Sequence, residues 1–451
     1  MCANTEQAKP QPLTGITTAY LYAMITVFLF YTGRNGFMAI VEAKYGLYVL
    51  LTGLYILSML VGSLVLRLKN GAVAGWKPKE SQTARLLALF YLLVTWLSAL
   101  LSRYWPYTVI GASRYEGALT ISLYCISFIL VSRYGRADRR LLMVFSVSAL
   151  LFCIICVLQI LGLNPLGLYP QDHSFYSTDV EGFFIGTIGN ADLVSAFLCL
   201  CIPLLLIIII RRRDDCRWLL LPLLLALLFI LWRIQVLAGY IGVGMGCVIA
   251  VCIAGPFTPK QKKYLALILI GLLILLLALF YFMEWPDHQF LYELHEVMHG
   301  NFDDSFGSRR LFIWRNVWSH VPGRIITGHG PDTMVFDNFE YCAYYDEELG
   351  RFFSYIDVAH NEYLNVIYHQ GIFGLAAFIG LQICCLVIWL KMQRDDIAAA
   401  SLGAAALCYS IQAFFSFSMC LTAPFFWIVL ALLVQRYSKT VEVDHNENES
   451  A

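Results

Sequence analysis

Polar positions are sparse and clustered along this chain, and the stretches between them are long and apolar. Runs of about 17–25 such residues read as transmembrane helices, because a segment in lipid must bond every backbone group internally. Twelve runs stand at roughly 16–33, 46–66, 86–102, 118–132, 141–162, 189–210, 217–234, 237–255, 264–283, 363–390, 398–416 and 420–435. No charged region closely precedes the first run and no small-residue cleavage site follows it, so it reads as a retained span. The pattern predicts an all-α polytopic membrane protein of about 12 transmembrane helices. Nine occupy 1–283, a long loop fills 284–362, three more occupy 363–436, and 437–451 reads as a disordered tail.

Composition agrees. Of 451 residues 59% are hydrophobic and 14% charged, against about 25% charged in an ordinary soluble domain. The net charge is zero, which argues against a nucleic-acid binder. That zero conceals a sidedness. With a cytoplasmic N-terminus, 21 of the 31 Lys and Arg fall in the loops and tails of the inner side, in clusters such as Arg133–Arg140 and Arg211–Arg217. Twenty of the 31 acids fall on the other side. Cations mark the cytoplasmic loops, so both termini are expected inside, and the long loop outside. The fourteen cysteines add little: Cys153/Cys156, Cys199/Cys201 and Cys384/Cys385 lie in apolar runs, where Cys behaves as a small hydrophobe.

The long loop is rich in Trp, Tyr and Phe, and loops of that length are usually functional when they are not disordered. Within it, Ser308 is suited to N-cap a helix whose first turn would hold Arg309 and Arg310, with Leu311, Trp314, Trp318 and Val321 on one face. The macrodipole disfavours cations there, so the arginines point either to a bound phosphate or to anchoring at lipid headgroups. Arg315 and Arg324 follow in the same segment. Further on, Asp357-Val358-Ala359-His360-Asn361-Glu362 enters the tenth run. Asp357 can cap that helix or orient His360, which reads either as a general base or as an interfacial histidine bonded to a neighbouring loop. His369, nine residues on, would face the other way.

His295-Glu296-Val297-Met298-His299 satisfies the zinc-peptidase pattern of two histidines at i and i+4 around a glutamate. It lies in a loop rather than a membrane helix, and a solvated amphipathic helix explains it as well. Boundary residues elsewhere are Arg114-Tyr115-Glu116, Asn190 with Asp192, and Arg233, each either functional or, for Arg233, a side chain snorkelling to the interface. Gly328–Asp332 reads as a turn.

Taken together, these segments resemble the bacterial O-antigen ligase and O-antigen polymerase superfamily. The resemblance rests on Gly189–Leu193, on Gln235 with Gly239–Gly242, on Gly300–Arg310, on Gly328–Asp332 and on His360–Leu364, in that order. It implies a GT-C-like fold and an inverting, metal-independent glycosyltransferase of the bacterial cytoplasmic membrane, with an extracytoplasmic active site and no cofactor. The implied donor is a glycan on polyprenyl (undecaprenyl) diphosphate, and the acceptor is a glycan, lipid or protein hydroxyl. By motif, Arg310 takes the diphosphate-binding role of the loop arginine and His360 that of the loop histidine that activates the acceptor. Arg309, Arg315 and Arg114 join the diphosphate site, with Asp357, Asn361, Glu116, Asn190 and Arg233 in support. Many ligases carry an arginine in the stretch matching Val236–Gly239. This chain has none there, and Arg233 lies out of register.

The chemistry fits that implication, since a diphosphate leaving group needs several arginines or a divalent metal as its bond to sugar breaks. The loop's 14 acids against 5 arginines pull the other way, and Asp346, Glu347 and Glu348 are expected on its solvent or acceptor side. Two other classes compete. A multi-pass transporter would show ionisable residues at mid-membrane on broken helices, and a zinc peptidase would use the HEVMH segment.

Overall fold

A computed structural model describes residues 12–70, 79–168, 184–283, 289–337, 339, 342–346, 350–354 and 356–450. The helices are α1 (Pro12–Ala23, continued by a π turn at Met24–Phe28), α2 (Ile40–Asn70), α3 (Lys79–Leu101), α4 (Ala118–Tyr134), α5 (Arg139–Ile160), α6 (Ala191–Arg211) and α7 (Leu221–Ile234). They continue with α8 (Leu237–Ala254), α9 (Pro259–Phe282), α10 (Gln289–Met298), α11 (Arg310–His320), α12 (Glu362–Met392), α13 (Ile397–Ala413) and α14 (Ala423–Ser450). Between α11 and α12, β1 (Cys342–Asp346) and β2 (Gly350–Ser354) pair antiparallel, with Ala343 opposite Phe353.

Eight of these helices are long and apolar enough to cross a membrane, and α1 with its π turn, α4 and α13 are shorter apolar helices. Their starts are written locally. Asp138 accepts a bond from Leu141 N, Asn190 from Leu193 N, and Asp396 from Ala398 N and Ala399 N. Thr258 and Gln261 form a reciprocal capping box ahead of Pro259, supplying acceptors to N–H groups that a first turn leaves open.

The core is built where α6 packs on α8 and α13, α3 on α12, and α4 on α14. By contrast α9 buries no residue, and its principal neighbours are α8 and α10.

Three expectations change. Lys44, one of the ten Lys and Arg left on the outer side by the inner-side count, is buried in α2, and its ammonium donates to the carbonyls of Phe28 (2.8 Å) and Leu29 (3.1 Å). Carbonyls at a helix end lack helical donors, and the lysine answers that need from inside the bundle. The expected run 398–416 ends early, at Ala413, and residues 414–422 form a non-helical segment before α14. Finally, α14 stays helical to Ser450 through the stretch read as a disordered tail, with Tyr437 and Val441 still packed on the core.

Helix α12 is two helices joined at Gly371, whose backbone (φ 71, ψ −170) is closed to a side chain. A Cβ there would lie 2.6 Å from the Ile326 carbonyl oxygen. The segment Ile325–Gly330 fills the break: Ile325 O accepts from Ile372 N (2.7 Å), while His329 N and Gly330 N donate to the carbonyls of Tyr368 (2.9 Å) and His369 (3.0 Å). Backbone groups freed by a broken membrane helix must find such partners. The turn Gly328–Asp332 therefore serves as a structural clamp. Asp337 fastens its far side, accepting from Tyr104 (2.7 Å), His329 (3.0 Å), Tyr368 and Arg103. Burial pushes that carboxyl up, but His329, Tyr368 and Tyr104 together hold it well below the usual carboxylate range.

Candidate active site

Four segments meet where the first half of α12 begins: the loop before α4, the start of α11, residues 356–361, and the non-helical stretch after α13. Arg114 stands at the centre of the contacts. Its Nε and Nη2 fork onto Asp357 at 2.9 and 3.0 Å, its guanidinium lies over the Phe417 ring at 4.6 Å, and Nη1 faces the Met419 sulfur at 3.6 Å. Phe417 touches the His360 ring edge-on as well, with centroids 5.3 Å apart. One aromatic side chain thus sits between the arginine and the histidine.

His360 is held in a left-handed backbone (φ 48), a conformation a non-glycine residue adopts only when its surroundings impose it. Those surroundings are visible. Trp314 Nε1 donates to Ala359 O (2.9 Å), Ala359 N donates to Asn365 Oδ1 (2.8 Å), and Asn361 caps α12 by accepting from Leu364 N (3.0 Å). Cap duty therefore belongs to Asn361, and the side-chain hydrogen bonds of Asp357 go to Arg114, while its charge still acts on the imidazole. Nδ1 of His360 is buried with no hydrogen-bond partner. Burial first, then the charges of Arg310 and Arg114, lower this imidazole to about 4, with Asp357 opposing them. It is neutral at neutral pH and can accept a proton.

Arg310 is the first residue of α11, one later than expected. Gly307, Ser308 and Arg309 all take left-handed backbones (φ 62, 57 and 64), so Ser308 is not the cap, and Arg309 occupies the N-cap position without a side-chain cap bond. Each left-handed non-glycine residue costs roughly 1–2 kcal/mol. Here Gly307 N is tied to Glu293 (2.9 Å) and Gly307 O accepts from Arg310 Nη1 (3.1 Å). Nε of Arg310 is buried without a partner. Gln412, near the end of α13, donates to Asp192 O (3.4 Å), which brings the start of α6, capped by Asn190, beside the stretch that carries Phe417.

Other expected members fall elsewhere. Arg315 is exposed and pairs with Asp304 at 2.5 Å, because it leaves α11 on the solvent side while Asn316 and Val317 face inward. Trp318 is exposed too. Arg309 is half-buried. Arg233 lies over Trp232 with its Nε buried and unpartnered, and no described contact joins it to Arg310 or Arg114. Glu347 and Glu348 lie outside the described residues.

Glu116 points behind the Arg114–Asp357 pair. It accepts from Tyr124 OH (2.9 Å) and lines a cavity of about 60 Å³ with Asp332, Asp357, Glu362, Asn365 and His369. Burial raises its carboxyl well above the usual range against the Tyr124 bond, and Glu362 and Asp332 add to the rise. The zinc-like segment is differently engaged. Nδ1 of His295 meets Phe280 O and Nδ1 of His299 meets His295 O, both at 2.9 Å, and no group of three or more potential metal ligands occurs among the described residues.

Three residues of this site received no defined role from the sequence. Asp332 (φ 51) accepts from Ser113 N (3.1 Å), Ser113 Oγ (2.7 Å), Arg114 N (2.8 Å) and Glu116 N (3.4 Å). It wraps the Arg114 loop around its carboxylate. Asp192 stood beside Asn190 among the boundary residues, and Phe417 is one aromatic among many near the end of an apolar run.

The sequence model of the O-antigen ligase family matches residues 235–379, the stretch from the α7–α8 turn to the second half of α12. It contains Arg310, Asp357, Asn361 and His360, while Arg114, Asn190 and Phe417 lie outside it. No curated protein matches the chain. The match supports the resemblance to O-antigen ligases and polymerases. With the span-length helices it supports a membrane protein of polysaccharide biosynthesis, of glycosyltransferase type.

Proposed function

We propose that this protein transfers a glycan from polyprenyl diphosphate to an acceptor hydroxyl at the outer face of the bacterial cytoplasmic membrane, through the site built by Arg114, Arg310 and His360. In this reading all twelve apolar runs cross the bilayer, both termini are cytoplasmic and the segment 284–362 is extracytoplasmic. One observation carries the proposal. The His360 imidazole, its Nδ1 buried and unpartnered, shares the Phe417 ring with the Arg114 guanidinium and feels the charge of Arg310, whose Nε is likewise buried and unpartnered.

The roles follow from that arrangement. His360 takes the proton of the acceptor hydroxyl, whose oxygen attacks the anomeric carbon of the donor. The bond from that carbon to the diphosphate oxygen breaks on the opposite face, inverting the configuration. Negative charge then gathers on the diphosphate, where preorganised donors act most strongly. Arg310 offers Nε, and Arg114 offers Nη1, whose present neighbour is a weakly accepting thioether. The fork to Asp357 fixes Arg114 in place. Two arginines at the diphosphate supply the charge stabilisation that a divalent metal would otherwise give.

Purified protein in a bilayer, given a polyprenyl-diphosphate glycan and candidate acceptors, tests this. Glycan released onto a second acceptor is the expected ligase outcome, and longer lipid-linked chains would identify the polymerase of the same superfamily. His360→Ala and Arg310→Ala should fold and leave the lipid-linked glycan unused. Normal transfer in both variants would refute the assignment.

A further inference from the structure

A second cavity, of about 370 Å³, lies between α1, α5, α6, α13 and α14. Its depths are hydrocarbon: Leu21, Phe197, Leu200, Leu402, Phe425 and Leu432 line it, and all six belong to the buried core. At its mouth stand Arg139 and Arg212, with Asp138. The mouth is far from the candidate active site. Asp192, which feels Arg114 and Arg310, is at the start of α6, and Arg212 follows its last residue. A helix of that length rises about 30 Å, so the two features open toward opposite ends of the bundle.

Such a volume calls for an occupant. Protein interiors are close-packed, and an apolar cavity of roughly 150 Å³ already takes up a benzene-sized guest. Water is a poor filler, because each buried molecule needs 2–4 polar partners, and the wall beneath the mouth offers almost none. Shape favours a chain: the lining on α6 runs from Phe197 to Arg212, a rise of about 22 Å. Charge favours an anionic head. Residues 133–140 carry four arginines against one aspartate, and residues 211–217 four against two. Asp138 is already committed to Leu141 N. Arg212 forks onto the exposed Asp214, a partner that a phosphate can replace, and Arg139 is exposed.

We propose that this cleft binds an anionic phospholipid of the leaflet opposite the candidate active site. One acyl chain lies between α5, α6 and α14, and the phosphate rests on Arg139 and Arg212. The site is separate from glycan transfer and stands whatever reaction the other face performs.

Delipidated protein in detergent, titrated with phosphatidylglycerol or phosphatidylcholine of identical chains, is read by native mass spectrometry. Phosphatidylglycerol should be retained at one molecule per chain, roughly 30-fold more tightly than phosphatidylcholine, the expectation for two arginines at a lipid phosphate. The double variant R139A/R212A, altered only at the cleft mouth, should bind both lipids alike. Ala398→Phe, which narrows the cleft and leaves the arginines in place, should lose the retained lipid of either kind. Equal retention of the two lipids by the native protein overturns the proposal. So does a preference that survives R139A/R212A, which decides the matter even if Ala398→Phe does not fold.

Discussion

The sharpest prediction concerns Asp332, which touches neither His360 nor Arg310 in any described contact yet sets the position of Arg114. Asp332→Ala removes the acceptor of three backbone N–H groups and one hydroxyl at 2.7–3.4 Å from a side chain only 4% exposed. Bonds to a charged acceptor contribute about 1.5–3 kcal/mol each. Discounting the longest and allowing for relaxation, the loop loses on the order of 3–6 kcal/mol. That is enough to free the Arg114 loop but is within the total stability of a typical fold, about 5–15 kcal/mol. A catalytic group displaced by about 1 Å costs roughly 100-fold in rate, so kcat for glycan transfer should fall by about that factor. Asp332→Asn should stay within about tenfold of native. Asparagine tolerates the left-handed backbone, its carbonyl can face the N–H groups, and its amide can donate to Ser113 Oγ. In an Arg114→Ala background Asp332→Ala should cost little more, because it acts through that arginine. Transfer rates of the three variants and the double variant, with melting curves, read the outcome. Native kcat in Asp332→Ala, or losses that simply multiply in the double variant, would refute the reasoning.

Further outcomes concern the histidine, the helix break and the arginines. His360 is lowered from 6.5 to about 4, so between those values the unfolded chain holds a proton that the folded chain refuses. Stability from this group is present above pH 6.5 and is lost as pH falls toward 4, and His360→Gln should lessen that slope in unfolding midpoints. A bound diphosphate cancels part of the charge of Arg310 and Arg114, so the acid limb of kcat should lie at higher pH than that of kcat/KM. Gly371→Ala should destabilise the protein and lower transfer, since its Cβ would meet two carbonyl oxygens at 2.6 and 2.7 Å; an unchanged melting temperature would contradict the clamp. Arg315→Ala should change kcat/KM by less than about threefold, as expected of an exposed pair contributing about 0–1 kcal/mol. Arg310→Lys, which loses the planar fork, should cost far more in the same transfer assay.

Much of the architecture was legible in the sequence, and some of the site as well. Apolar runs reveal membrane-length helices because lipid offers the backbone no partner outside its own segment, a constraint that the broken α12 meets only with the help of Ile325–Gly330. Asp138, Asn190, Thr258 and Asp396 announce helix starts for the same local reason. His360 and Arg310 could be named because residue type and flanking motif mark them. The role of Asp357 could not be. Two uses were open to it, and the choice fell to Arg114, 243 residues away in the chain. Lys44 looked like a surface cation until helix ends from elsewhere supplied carbonyls to hold it inside. Asp332 could be seen only as the end of a turn and Phe417 not at all, since a carboxylate becomes a loop anchor, or a phenyl ring a shared wall, only when distant segments converge on it. By itself the sequence determined where most of the apolar helices lie and which side chains have the chemistry. Tertiary structure decided which of them meet, because pairing energies depend on distance in space and a chain records only distance along itself.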